Sequence, residues 1–281
     1  MPSDDHVNVI EQDQILTVEL SRPDKRNAIS PEITDALWQA VLALGDRDDL
    51  RCVVIAATGE YFTAGIDLSR PFGARHGDPA TRHLHPGWSL RRSYRSHHLL
   101  YDELEAVEKP VVVAVQGHCF GAGVEMAASA DFRFCTPRAT FKLPEVEIGV
   151  VPGSGGVSRL TRIIGPAQVK WMAMAAMPVT ADEAHAMGLV NRVFPEPTFR
   201  DEVHAFCRHL VGLPAEAVGV AKLLADMAVD TDRTTQRNVD RLANTPLLGS
   251  DENRRLTARF RAPRAPRAPE APDPPEPGTG T

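Results

Sequence analysis

Two carboxylates stand at the ends of one short stretch of this 281-residue chain: Glu125, in Gly121-Ala-Gly-Val-Glu-Met126, and Glu145, in Leu143-Pro-Glu-Val-Glu147. A carboxyl pair can divide a proton-transfer task, one member taking a proton while the other gives one, when their surroundings tune them toward working pH. Neighbouring carboxylates titrate as a unit, so the pair is read here before any division of labour within it. Glu147 would share a face with Glu145 if the segment is extended, and it reads either as an additional acid or as a solvated side chain.

The elements around these residues can place backbone donors beside them. Pro110–Val115 is an apolar, β-branched run that predicts a buried strand, Gln116–Gly123 a turn and Val124–Ala130 a helix. The first N–H groups of a helix have no partner within it and lie at the positive end of its dipole, so this corner can receive developing negative charge. A second corner comes earlier, where the strand Cys52–Ala57 is followed by the turn Thr58–Glu60 and by Tyr61-Phe-Thr-Ala-Gly-Ile-Asp-Leu68. Donors from the two corners meeting at one oxygen would form an oxyanion hole, in which a single lost donor costs about 3 to 4 kcal/mol.

Six segments in order carry a resemblance: Arg22-Pro-Asp-Lys-Arg-Asn-Ala-Ile29, Phe62-Thr-Ala-Gly-Ile-Asp-Leu68, Gly117-His-Cys-Phe-Gly-Ala-Gly-Val-Glu125, Pro144-Glu-Val-Glu-Ile-Gly149, Pro152-Gly-Ser-Gly-Gly156 and Thr180–Arg192. Together they resemble the crotonase, or enoyl-CoA hydratase, superfamily over about residues 8 to 260. The resemblance implies an α/β fold, a ββα spiral core over 1–198 with the acyl-CoA site, and a C-terminal helical oligomerisation region over 199–260. It implies that the N–H groups of Ile66 and Ala122 form the hole and that Glu125 and Glu145 are the catalytic acids. Glu125 would act chiefly on water and Glu145 chiefly on the C2 proton. CoA would lie near Lys25, Arg26 and Ala28 and along Ala64, Ile66, Asp67 and Leu68, with Ala122 beside its thioester.

The activity so implied is hydration of a 2-enoyl-CoA, with CoA entering as part of the substrate and no further cofactor or metal. The alternatives are a dienoyl- or enoyl-CoA double-bond isomerase and, from another class, a non-catalytic CoA- or RNA-binding relative. Dienoyl-CoA isomerases carry a catalytic aspartate where this chain has Gly153, which favours water addition. The implied partners are an acyl-CoA and further copies of the chain, as a trimer or a dimer of trimers.

Composition fits one compact enzyme, with 43% hydrophobic residues, a net charge of -6 and a pI near 5.9. An acidic balance argues against general nucleic-acid binding, which rests on clustered positive charge. Cys52, Cys119, Cys135 and Cys207 lack metal-ligand spacing and read as small core hydrophobes in a reducing compartment. No apolar run approaches the ~20 residues of a membrane span, and the acidic start Met1-Pro-Ser-Asp-Asp-His6 is unlike a signal peptide, so the expected location is the cytoplasm. Gly121-Ala-Gly123 lacks the third glycine of a dinucleotide fingerprint, and Gly153-Ser-Gly155 lacks the outer glycines of a nucleophile elbow.

Elsewhere Ile15–Leu20 alternates as a strand, and Ser30 caps a helix with Pro31 at its first position and Ile33, Leu37, Val41 and Leu44 on its buried face. Val157–Ile164, Phe199–Leu213, Ala215–Met227 and part of Asn238–Phe260 have helical spacing. Residues 261–281 turn to Pro, Ala, Arg and Glu, a composition of disorder. Residues 70–98 hold six arginines and five histidines and are expected to govern which acyl group is accepted. Within them His83 and His85 have no third metal ligand at suitable spacing. Arg91, Arg92 and Arg95 would face either a substrate anion or solvent. Trp88, Tyr94 and Tyr101 would line the acyl pocket or pack the segment on the core.

Overall fold

Apolar runs set the architecture. In the computed structural model, which describes residues 6–69 and 86–261, β1 (Val7–Gln12) turns back on β2 (Ile15–Leu20), and α1 (Pro31–Asp46) follows. Three ββα units come next: β3 (Cys52–Ala57), β4 (Tyr61–Thr63) and α2 (Pro86–Ala106); β5 (Val111–Val115), β6 (His118–Phe120) and α3 (Ala122–Ala128); β7 (Phe132–Cys135), β8 (Thr140–Lys142) and α4 (Gly156–Ala173). Then β9 (Val179–Thr180), α5 (Ala181–Ala186) and β10 (Arg192–Val193) close the strand-bearing part. The first strand of each unit enters a six-stranded sheet ordered β1-β2-β3-β5-β7-β10, and the second enters a four-stranded sheet ordered β4-β6-β8-β9. Pairing is parallel throughout except β1 with β2 and β8 with β9. This is the expected ββα spiral.

The larger sheet is buried on both faces. Val53, Ile55 and Ala57 of β3 and Val111, Val113 and Val115 of β5 join α1 residues Ile33, Leu37 and Leu44 in the main core. The alternate residues Cys52, Val54, Val112 and Ala114 pack against Phe199, Val203, Cys207 and Leu210 of α6 (Phe199–Val211). Two covered faces are why these strands read as unbroken apolar runs instead of alternating ones. At α1 the Ser30 hydroxyl accepts the Ile33 N–H and Pro31 takes the first position, as the sequence predicts.

The structure departs from expectation in three places. The predicted turn Gln116–Gly123 contains β6, a three-residue strand too short to show a pattern, held by pairing with β4 and β8. Glu145–Ile148 is a 3-10 turn, so Glu145 and Glu147 do not share a strand face. Helix α4 continues past Ile164 through a kink at Gly165, φ 77°, and Pro166.

The chain divides into two compact units, Met1–Gln236 and Arg237–Thr281. Helices α6 and α7 (Ala215–Ala228) lie in the first, while α8 (Arg233–Leu248) crosses the boundary and α9 (Asp251–Arg261) follows it. Among the described residues no helix is long and apolar enough to cross a membrane. Residues 262–281, expected to be a disordered tail, lie outside the described residues.

Candidate active site

The first corner is held by a buried asparagine. Asn27 donates from Nδ2 to the carbonyls of Thr58 and Tyr61 and accepts the Arg22 N–H at Oδ1, at 2.7 to 2.8 Å. Thr63 Oγ1 donates to the Asn27 carbonyl and accepts the Gly65 N–H, so the turn around Gly65 is tied at both ends. Ile29 and Ile66 form a parallel bridge in which the Ile29 N–H donates to Gly65 O and the Asp67 N–H donates to Ile29 O. That pattern uses the neighbours of Ile66 and turns its own N–H the other way. Sequence reasoning missed Asn27, whose partners Thr58 and Tyr61 lie more than thirty positions away.

The second corner meets the first through two glycines in left-handed backbone. Gly65 has φ +94° and Gly121 has φ +55°. A side-chain carbon at Gly65 would stand 3.6 Å from Ala122 N and 3.2 Å from Phe120 O, and one at Gly121 would stand 3.8 Å from Gly65 Cα. Only residues without a side chain permit both the φ values and this approach. Among the described residues neither the Ile66 nor the Ala122 N–H donates a hydrogen bond. Tyr101, fully buried, donates its hydroxyl to the Ala122 carbonyl and braces that peptide.

Glu145 reaches this junction, and the Glu125 N–H donates to the Gly121 carbonyl. Glu145 Oε1 would lie 3.1 Å from a side-chain carbon at Gly121, which puts the carboxyl beside the second corner. Its Oε2 is buried without a partner among the described residues, and burial, aided by the Glu125 charge, pushes its pKa up to about 7. Glu125 lies in the first turn of α3, 3% exposed, and its Oε1 accepts the N–H groups of Ser154 and Gly156 at 2.9 and 3.0 Å. Burial raises the Glu125 pKa and those amide bonds oppose the rise. The turn that supplies them is held from outside. His98 Nε2–H donates to Gly153 O at 2.7 Å, and Arg159 joins Ser154 O to Glu105 and Asp102 of α2. Glu147 is exposed and paired with Lys142 at 2.6 Å.

The expected CoA positions fall along the outer side of the first corner. Lys25 and Arg26 are exposed, with the Arg26 guanidinium 5.4 Å from the centre of the Tyr61 ring. The Ala64 N–H donates to Arg26 O, which brings the Ala28 and Ala64 segments together. Leu68 is 72% exposed. The Asp67 carboxylate is instead spent on Arg22 and Ser69, which hold its pKa below the usual range against the opposing effect of burial, so only its backbone can face a ligand. Arg91, Arg92 and Arg95 are exposed on α2 and Trp88 is 63% exposed, while Tyr94 lines a cavity of about 650 Å³ with Val146, Gly149, Val150, Val151 and Gly153. His83 and His85 lie outside the described residues.

Two close-packed glycine corners beside a buried and a half-buried carboxyl are an arrangement that can hold developing negative charge and transfer protons. The chain belongs to the enoyl-CoA hydratase/isomerase family, whose pattern matches residues 11–261, within the crotonase superfamily. A carnitinyl-CoA dehydratase from Salmonella arizonae is 38% identical over 221 residues, 77% of this chain and 80% of its own. An enoyl-CoA hydratase structure from Polaromonas sp. JS666 superposes with a TM-score of 0.82 at 28% identity, covering 90% of this chain and 96% of that one. A provisionally assigned enoyl-CoA hydratase from Thermobifida fusca YX, solved with acetoacetyl-CoA, has a TM-score of 0.78 at 27% identity over 87% and 95% of the two chains.

Proposed function

We propose that this protein adds water across the C2–C3 double bond of a 2-enoyl-CoA, or removes it in reverse, with Glu125 and Glu145 as its acids and bases. Hydratase-like activity on CoA thioesters, and a place among the lyases, rest on the family and on the carnitinyl-CoA dehydratase relatives. The observation that carries the residue roles is that Glu145 stands beside the close contact between Gly65 and Gly121, where among the described residues the Ile66 and Ala122 N–H groups make no hydrogen bond, while Glu125 starts from the same corner.

In the forward direction the thioester oxygen sits between the N–H groups of Ile66 and Ala122. Glu125, whose two amide donors oppose the rise in pKa that burial causes, takes a proton from water as the water oxygen bonds to C3. The electron pair of the double bond moves through C2 onto the thioester oxygen, where the hole holds it. Glu145, with its pKa raised to about 7, delivers a proton to C2 as the charge returns. The chain's own residues supply every proton and charge in this sequence, and we propose no cofactor beyond the CoA of the substrate. Dienoyl-CoA isomerases carry an aspartate where Gly153 stands, so hydration is the reading we adopt over the isomerase and over a non-catalytic binder. Incubation with linear, branched and aromatic enoyl-CoA thioesters should give loss of conjugated absorbance and products heavier by one water; unchanged mass with a moved double bond would establish isomerisation instead.

Burial makes Glu145 a destabilising group once it ionises. Its folded pKa of about 7 lies above the ordinary 4.5, so the stability it allows is full below 4.5 and is lost as pH rises toward 7. Glu145→Gln should therefore melt higher than the parent at about pH 8 and lose that advantage at about pH 4. Equal melting shifts at both pH values would rule out the buried, high-pKa assignment.

Oligomerisation belongs to the same proposal. Helix α7 buries only Gly219, and Leu242 and Leu248 of α8 are 75% and 62% exposed. Such faces need a partner surface, and a trimer or dimer of trimers supplies one. Light scattering at micromolar concentration should give one of those masses with or without residues 262–281; a monomer would exclude it.

A further inference from the structure

We propose that Tyr94 is the specificity-determining wall of the acyl pocket, an aromatic gate that Gly153 makes room for and that limits the length of the acyl chain. The inference rests on the hydratase reading of the neighbouring glutamates. It starts from a packing fact: a side-chain carbon at Gly153 would stand 2.3 Å from Tyr94 Cε1, 2.8 Å from Cζ and 3.0 Å from the hydroxyl oxygen. The phenol ring therefore occupies the volume any other residue at 153 would fill. One helical turn on, His98 Nε2–H donates to the Gly153 carbonyl at 2.7 Å, so α2 grips this residue by its ring contact and by a hydrogen bond.

The position is at the acyl end of the site. The cavity that Tyr94 shares with Gly153 is bounded by Val146, the residue after Glu145, and by Gly149, Val150 and Val151. Gly153 in turn precedes Ser154, whose N–H binds Glu125. An enoyl group with C2 and C3 beside the two carboxyls would, on the hydratase reading, extend its remaining carbons into the space these residues line. Burial and the Glu125 and Glu145 charges raise the Tyr94 pKa. Seated against Gly153 and lining the cavity with valines and glycines, the ring would limit the number of carbons beyond C3. Pockets of this kind discriminate by roughly tenfold or more per methylene.

The test compares kcat/KM for crotonyl-, 2-hexenoyl-, 2-octenoyl- and 2-decenoyl-CoA in the parent protein, Tyr94→Ala and Tyr94→Phe. Tyr94→Ala should raise the 2-decenoyl to crotonyl ratio by about tenfold or more, and Tyr94→Phe, which keeps the ring, should leave it within about twofold. A Tyr94→Ala ratio within twofold of the parent overturns the gate, as does an equal shift in Tyr94→Phe. If the parent hydrates none of these and none of the branched or aromatic thioesters above, the hydratase reading has failed, and calorimetric affinities for butanoyl- and decanoyl-CoA still decide the gate by the same ratio. The packing has its own readout in a double-mutant cycle. Gly153→Ala should lower the melting temperature in the parent and cost little in the Tyr94→Ala background, and equal cost in both would overturn the seating of the ring.

Discussion

Glu125→Gln and Glu145→Gln should each lower kcat by about 10² or more, the range of a lost acid-base group, while affinity for a saturated acyl-CoA is retained. The two substitutions remove the proton function by different routes. Glutamine at 125 can still accept the Ser154 and Gly156 N–H groups through its amide oxygen, so the loop stays in place while the base is gone. Glutamine at 145 keeps the shape beside Gly121 but cannot release a proton to C2. Exchange of the C2 hydrogens of a saturated acyl-CoA with deuterated water should separate them, because that exchange needs the proton function assigned to Glu145 and no attack of water on C3. Two variants turning over at the parent rate would refute the assignment of both residues.

A second large effect is expected where no reacting side chain exists. Gly65→Ala should reduce kcat by about 10² to 10³ with the fold intact, the scale for a lost oxyanion donor. Alanine at φ +94° is strained, and its methyl would lie 3.2 Å from Phe120 O, so the two corners must part by a few tenths of an ångström. In the proposed mechanism both N–H groups point at one oxygen, and a small separation would be enough to lose one of them. Circular dichroism and melting report whether the protein remains folded. A folded Gly65→Ala variant with parent-like turnover would show that the corners do not act on a shared oxygen.

Much of this was legible in the sequence because the signals are local. Ser30-Pro31 marks the start of α1, the run Cys52–Ala57 marks β3, and the glycine turns mark both corners at their true positions. The pairing of Glu125 with Glu145 came from motif order, since neither residue alone distinguishes a reacting acid from a helix-end or loop carboxylate. What stayed hidden depends on contacts between distant segments. Pro-Glu-Val-Glu has the alternation of a strand, yet it forms a 3-10 turn. Asn27 has no motif value until Thr58, Tyr61 and Arg22 surround it. The segment 70–98 was expected to shape acyl choice, but nothing in its composition separates Tyr94, which meets Gly153, from Trp88, which is mostly exposed.

Arg159 gives the site a property that matters for anyone redesigning it. One guanidinium holds Glu105 and Asp102 of α2 and, through the Ser154 carbonyl, the same turn whose N–H groups bind Glu125. If α2 reads the acyl group and Glu125 is the base, as proposed above, recognition and base placement share one mechanical frame and are not modular. Changes to α2 that widen substrate range should carry a penalty in rate that no single pocket contact accounts for. Directed evolution toward longer acyl chains would then be expected to restore that rate through second-site changes along α2 and α4, at positions that touch no substrate.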